Sequence, residues 1–158
     1  MTFAKMRFNG FLCLLLMLSI FSPSRVDAET TGGKWVFVGF TKYRDALFID
    51  VNRMTPEADL SVRVWSRITP AERSRYYHQI QRDLKNVNKT PGEFRYMETL
   101  NEIDCSSRQI RYLEVIYFRP DNSVIHATRD DRPAWRAVHS GSLWDSLLTT
   151  VCRKQGGT

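Results

Sequence analysis

The chain reads as an α+β protein: an antiparallel sheet of about six strands, two helices packed on it, and one disulfide. Three observations predict this. Short β-rich runs follow one another across turn residues rather than crossover helices, which favours antiparallel pairing. Two stretches, residues 70–85 and 142–152, switch to a helical period. Beyond the first 28 residues only two cysteines remain, Cys105 and Cys152.

Residues 1–28 read as a secretory signal. Lys5 and Arg7 open it, an apolar run extends from Phe11 to Phe21, and Val26-Asp27-Ala28 offers a cleavage site. The run falls short of the roughly 20 residues that span a bilayer. Cys13 lies inside it rather than after it, which argues against lipid attachment. The expected product is a single exported domain of residues 29–158, with no transmembrane helix after cleavage.

Charge narrows the partner class. Lys and Arg total 23 against 17 Asp and Glu, a formal +6. Loss of Lys5, Arg7, Arg25 and Asp27 with the leader takes it to +4. Of the 20 basic residues left, 15 are arginine, a bias toward bidentate contacts and stacking on aromatics. Export and the lack of a recognisable module argue against nucleic acid. Two cysteines in an oxidising compartment most simply pair with each other. Closing a loop of that length contributes on the order of 4 kcal/mol in the chain-entropy model. No Cys-x-x-Cys occurs, so a redox or zinc site has no support.

The elements follow in order. Glu29 to Lys34 is a polar lead, Trp35–Thr41 a first strand and Ala46–Val51 a second. Thr55–Asp59 is turn chemistry. Leu60–Ile68 alternates, with Val62, Val64 and Ile68 on one face and Arg63, Trp65 and Arg67 on the other. Thr69-Pro-Ala-Glu72 has capping-box spacing, and Tyr76, Ile80, Leu84 and Val87 continue it as an amphipathic helix over 70–85. Pro91-Gly92 is a turn. Phe94–Cys105 and Arg108–Phe118 are the next strands; Arg119–Ser123 turns into Val124–Thr128. Trp135–Val138 is a short edge element. Ser142 caps the closing helix, whose stripe is Leu143, Trp144, Leu147, Leu148 and Val151.

Two basic constellations are candidate ligand sites. Arg63, Trp65 and Arg67 share a strand face suited to an acidic peptide, glycan or anionic polymer. The bland alternative packs Trp65 under the first helix, with arginine stems over it. Arg108 and Arg111, with Arg119, Arg129, Arg132 and Arg136, form the second; its alternative is charge balance against Glu98, Glu102, Asp104, Glu114, Asp130 and Asp131. His78, His126 and His139 have no metal-ligand spacing, Ser140-Gly-Ser142 lacks a nucleophile elbow, and no phosphate loop is present. The reading is therefore non-enzymatic, without metal or cofactor.

Several of these features resemble the surface-adhesin protein E family of Gram-negative bacteria. They are the strand opening at Trp35, the Asp104-Cys105 junction, the basic hairpin with Pro120-Asp-Asn122 at its turn, and Trp135–Ser142 before a helix ending Val151-Cys152. The resemblance covers nearly all of residues 35–153. It implies a small α+β domain at the outer cell surface that captures host vitronectin, laminin or plasminogen. Residues 70–92 carry a mixed-charge helix without a lysine cluster, so no binding residue is carried over. The expected function is an exported binding protein whose partner is a protein or an anionic polymer. The alternative is a periplasmic accessory or structural protein of the envelope with a bacterial partner. Open edge strands at Trp35–Thr41 or Val124–Thr128 would let a second copy pair as a homodimer.

Overall fold

The computed structural model describes residues 33–90 and 94–155. The leader expected over residues 1–28 and the turn expected at Pro91-Gly92 lie outside them. Six strands form one antiparallel path. These are β1 (Trp35–Phe40), β2 (Ala46–Asp50), β4 (Ser61–Thr69), β5 (Tyr96–Asp104), β6 (Gln109–Phe118) and β7 (Val124–Arg129), hydrogen-bonded in that order. Two short strands flank it. β3 (Thr55–Pro56) pairs with β4, and β8 (Arg136–Ala137) with β6. Helices α1 (Arg75–Asn86) and α2 (Leu143–Gln155) complete the fold. The expected sheet and both helices are therefore present, and β1 and β7 are its edges.

Alternation decides which side the helices cover. Leu47, Ile49, Val62, Val64, Ile68, Met97, Ile103 and Ile110 point to one side, where Ile80 and Leu84 of α1 and Leu147, Leu148 and Val151 of α2 join them in one buried cluster. Burying such a side chain contributes about 1.5–3 kcal/mol. Among the described residues, no helix is long and apolar enough to cross a membrane.

Three local readings are corrected. The first helix starts at Arg75, not at Pro70, and its cap is Ser74, whose Oγ accepts from the Tyr77 N–H at 2.9 Å. The cause lies elsewhere in the chain: the Ala71 N–H donates to buried Asp45 Oδ1 at 3.0 Å, tying Pro70–Arg73 to the β1–β2 connection as a turn. Arg73 then adopts φ 61°, outside the helix. Second, Thr55–Asp59 is more than a turn: Thr55–Pro56 pairs with Arg63 and Val62, and the chain then passes through a left-handed turn with Asp59 at φ 57° and Leu60 at φ 62°. Third, Trp65 lies on the sheet face opposite the helices, not beneath α1.

The turns follow their side chains. Asp104 accepts from the backbone and hydroxyls of Ser106 and Ser107, which hold its carboxyl well below the usual range. Asp121 does the same for Ser123, with Asn122 left-handed at φ 65°. Cys105, just past β5, is bonded to Cys152 in α2, so the closing helix is fastened to the central hairpin.

Two outcomes are expected. A Cys105→Ser, Cys152→Ser chain should lose up to about 4 kcal/mol in urea unfolding, since the bridge closes a 47-residue separation. Burial raises the phenols of Tyr76, Tyr112 and Tyr117, the last to about 12. In the unfolded chain they ionise near 10, so that state releases protons first. Their contribution is complete below about pH 10 and declines above it. Unfolding monitored by far-UV circular dichroism should show a fall in stability beginning there.

Candidate functional site

The sheet face opposite α1 and α2 carries an ordered set of charges and rings. On β5, Glu98 and Glu102 are four residues apart, so both point to this face. They pair in register with Arg67 and Arg63 of β4, and Glu102 faces Arg111 of β6 on its other side. Both carboxylates are buried, with relative exposures of 7% and 6%. Burial on a central strand obliges each to be paired. Glu98 Oε1 accepts from Arg67 Nη2 at 2.6 Å and Nε at 3.1 Å, and its Oε2 lies 3.8 Å from Arg53 Nη2. Glu102 Oε1 accepts from Arg111 Nη2 at 2.8 Å, and Oε2 from Arg63 Nε at 3.4 Å. Arg63 reaches Glu57 as well, at 3.3 Å.

Rings alternate with the same guanidiniums. Arg53 lies 5.2 Å from the Trp65 ring and 5.6 Å from Trp35. Arg67 lies 4.1 Å from Trp35 and 4.3 Å from Tyr96. Tyr96 stacks on Phe118 at 4.8 Å. The result is a row, Trp65, Arg53, Trp35, Arg67, Tyr96, Phe118, running across β4, β1, β5 and β6. Each exposed cation–π contact contributes about 0.5–1 kcal/mol, more where water is excluded. Arg111 stacks at 4.4 Å on Trp135 from the loop before β8.

Asp50 anchors the row's outer end. Buried at the end of β2, it accepts from Arg53 Nε at 2.5 Å and from the Asn52 N–H at 3.1 Å. Gly33 passes so close that a Cβ there would sit 2.0 Å from the Asp50 carboxylate, so only glycine fits. Beyond it, Phe37, Phe40 and Phe48 cluster at the β1 edge, with Phe37 48% and Phe40 64% exposed. A depression of about 390 Å³ opens between Trp35, Phe48, Arg67, Arg95 and Tyr96.

The candidate residues of the sequence are thus distributed unevenly. Arg63, Trp65, Arg67 and Arg111 share this face. Arg108 does not: it lies in the β5–β6 turn at φ 54° and pairs with Asp145 in the first turn of α2. Arg136 stacks over Tyr112, which also contacts Trp144 of α2. The second constellation therefore does not form one patch. Trp35, Arg53 and Tyr96 belong to the face and were not singled out. The spacing of Arg63 and Arg67 against Glu98 and Glu102, four and four, was the available signal. Among the described residues, no group of three or more His, Cys, Asp or Glu could hold a metal ion.

The comparisons with known proteins concern this whole unit. The model of the family described as surface-adhesin protein E matches residues 35–153. Haemophilus influenzae protein E, in its crystal form II, is similar in structure: TM-score 0.50 at 7% identity, covering 77% of this chain and 90% of that one. A second structure of Haemophilus influenzae protein E gives TM-score 0.49 at 7% identity, over 76% and 86%. At such identity the likeness concerns the fold. No curated protein matches the chain.

Removing single arginines should separate the clamp from its rim. Arg67→Ala leaves Glu98 buried with only distant Arg53 and should cost about 2–4 kcal/mol, below the fully buried limit because Arg67 keeps 28% side-chain exposure. Arg63→Ala leaves Glu102 with Arg111 and should cost about 1 kcal/mol or less, its side chain being 45% exposed. Urea titration of both variants measures the difference; equal losses would contradict the assignment.

Proposed function

The chain belongs to the surface-adhesin protein E family, and from that premise we propose an exported, non-enzymatic binding protein that engages a folded protein partner through the face of its sheet opposite α1 and α2. One observation carries the choice of a protein over an anionic polymer. Arg63, Arg67 and Arg111 each already hold a carboxylate, and Arg53 and Arg67 give their flat faces to tryptophan and tyrosine rings. An anionic polymer needs unneutralised cations in a row. A protein partner gains instead from rigid aromatic and arginine anchors beside a pocket, where interface energy concentrates. Phe37 and Phe40 extend that surface toward the β1 edge, and the depression at Trp35 and Tyr96 can admit one partner side chain. Within this face, Arg63, Trp65, Arg67 and Arg111 are the proposed contact residues; Arg108 is not on it.

Residues 1–28 serve this reading as a cleaved export signal, with residues 29–158 as the functional unit. The partner class consistent with family membership is a host matrix or serum protein such as vitronectin or laminin, met at the outer surface of a Gram-negative cell. Protein recovered from an exporting bacterial host, disulfide intact, should bind immobilised vitronectin or laminin saturably at physiological salt. A Phe37→Ser, Phe40→Ser, Arg63→Gln variant should weaken that binding at least tenfold. These side chains are exposed, so the fold survives the change. Binding that vanishes at physiological salt, or ignores the variant, contradicts the proposed face. Absence of binding together with protection from protease on intact cells would favour a periplasmic partner instead.

A further inference from the structure

On the helix-bearing side, a cleft of about 500 Å³ opens between the β1–β2 connection and the starts of both helices. Its walls are apolar: Phe40, Ile68, Tyr76, Leu143 and Trp144 line it. A volume in this range suits a small ligand. Its mouth has the opposite character. Lys42, Tyr43 and Arg75 stand together there, with Lys42 Nζ 5.0 Å from the Tyr43 ring, and the two cations draw that phenol below its ordinary value. Among the described residues neither cation has a carboxylate within ion-pair distance. This is the reverse of the outer face, where each of the sheet's arginines on the row is neutralised.

Two further charges converge there. Arg75 is the first residue of α1 and Leu143 the first of α2, so both helix N-termini meet the cleft with their positive ends. Ser74 and Ser142 cap only the N–H groups of Tyr77 and Asp145. The earlier N–H groups of each first turn, including those of Leu143 and Trp144, are left for solvent or a ligand. Asp45 at the base is the opposing charge. It is fully buried and already accepts from the Thr41 hydroxyl at 2.7 Å and the Ala71 N–H at 3.0 Å. The mouth therefore keeps a net positive character from Lys42, Arg75 and the helix ends. The Thr41–Asp45 connection is rigid, with Thr41 N–H donating to Asp45 O and Arg44 N–H to Thr41 O. The backbone that carries Lys42 and Tyr43 is thus set before a ligand arrives, which lowers the entropic cost of binding.

We propose that this cleft is a binding site for a small amphiphilic carboxylate, with its hydrocarbon body between Tyr76, Leu143 and Trp144 and its headgroup at Lys42 and Arg75. The cleft shares Phe40 with the proposed protein-binding surface but not Arg63, and Lys42 and Arg75 lie outside that surface, so variants at these charged residues test the two sites separately.

Isothermal titration of the full exported protein with dodecanoate, below its micelle concentration, tests the proposal. One saturable site is expected. Dodecyltrimethylammonium, with the same tail and the opposite charge, should bind at least tenfold more weakly. So should dodecanoate to a Lys42→Gln, Arg75→Gln variant; both side chains are exposed and the fold does not depend on them. The Arg63→Gln variant of the outer face should bind dodecanoate like the parent chain. No saturable binding, equal affinity for the cationic surfactant, or indifference to the double variant would overturn the assignment. Sedimentation with phosphatidylglycerol vesicles without binding of free dodecanoate would overturn it too, in favour of a lipid surface.

Discussion

Two carboxylates are buried on the sheet face that neither α1 nor α2 covers. Glu98 and Glu102 sit on β5, between β4 and β6, and a carboxylate in that position must be paired or it destabilises the fold by several kcal/mol. The pairing fixes much of the rest. Arg67 and Arg63 can reach Glu98 and Glu102 only in the observed β4–β5 register. A slip of one residue would turn both arginines to the core side and Val64 to solvent. Arg111 reaches Glu102 only because the β-bulge near Leu100–Asn101 adjusts the β5–β6 pairing before Asn101 meets Tyr112. The rings then cover the guanidiniums, and the guanidiniums cover the carboxylates. This face is therefore shielded by its own side chains rather than by a second layer.

The other side follows ordinary core logic, with one exception that matters for chemistry. Mainly aliphatic side chains from five strands and two helices fill it, and the disulfide ties α2 to the end of β5. The exception is Asp45, a charged residue with no exposure. Its hydrogen bond to Ala71 delays the first helix and brings Arg75, rather than Pro70, to the helix start. The cleft at the two helix ends exists because of that displacement. A single buried carboxylate thus shapes the helix-bearing side as two others organise the outer face.

Much of this was legible from residues alone. The alternation of Leu60–Ile68 predicts which side chains of β4 face the core, and the cysteine count predicts the bridge. The Ser142-x-x-Asp145 spacing predicts the cap of α2, where the Asp145 N–H donates to Ser142 Oγ at 3.1 Å. What was not legible depends on contacts remote in sequence. The Thr69–Glu72 spacing satisfies a capping box locally, and only Asp45, 26 residues away from Ala71, makes it a turn. Arg53 reads as part of a connection; its place between two tryptophans depends on β1 and β4 lying close across β2. The scattered arginines of residues 108–136 look like one patch in sequence, yet alternation and the β6–β8 pairing send Arg111 and Arg136 to different rings.

The clamp of Arg67 and Arg63 on Glu98 and Glu102, between β4 and β5, acts as one energetic unit. A double-mutant cycle on Arg67→Ala and Glu98→Ala, by urea unfolding of all four chains, measures it most directly. The clamp predicts a coupling energy of about 1.5–3 kcal/mol that changes little with salt, as expected for a pair shielded from solvent. A coupling below about 0.5 kcal/mol, or one removed by salt, would contradict it and reduce this face to an ordinary solvated surface.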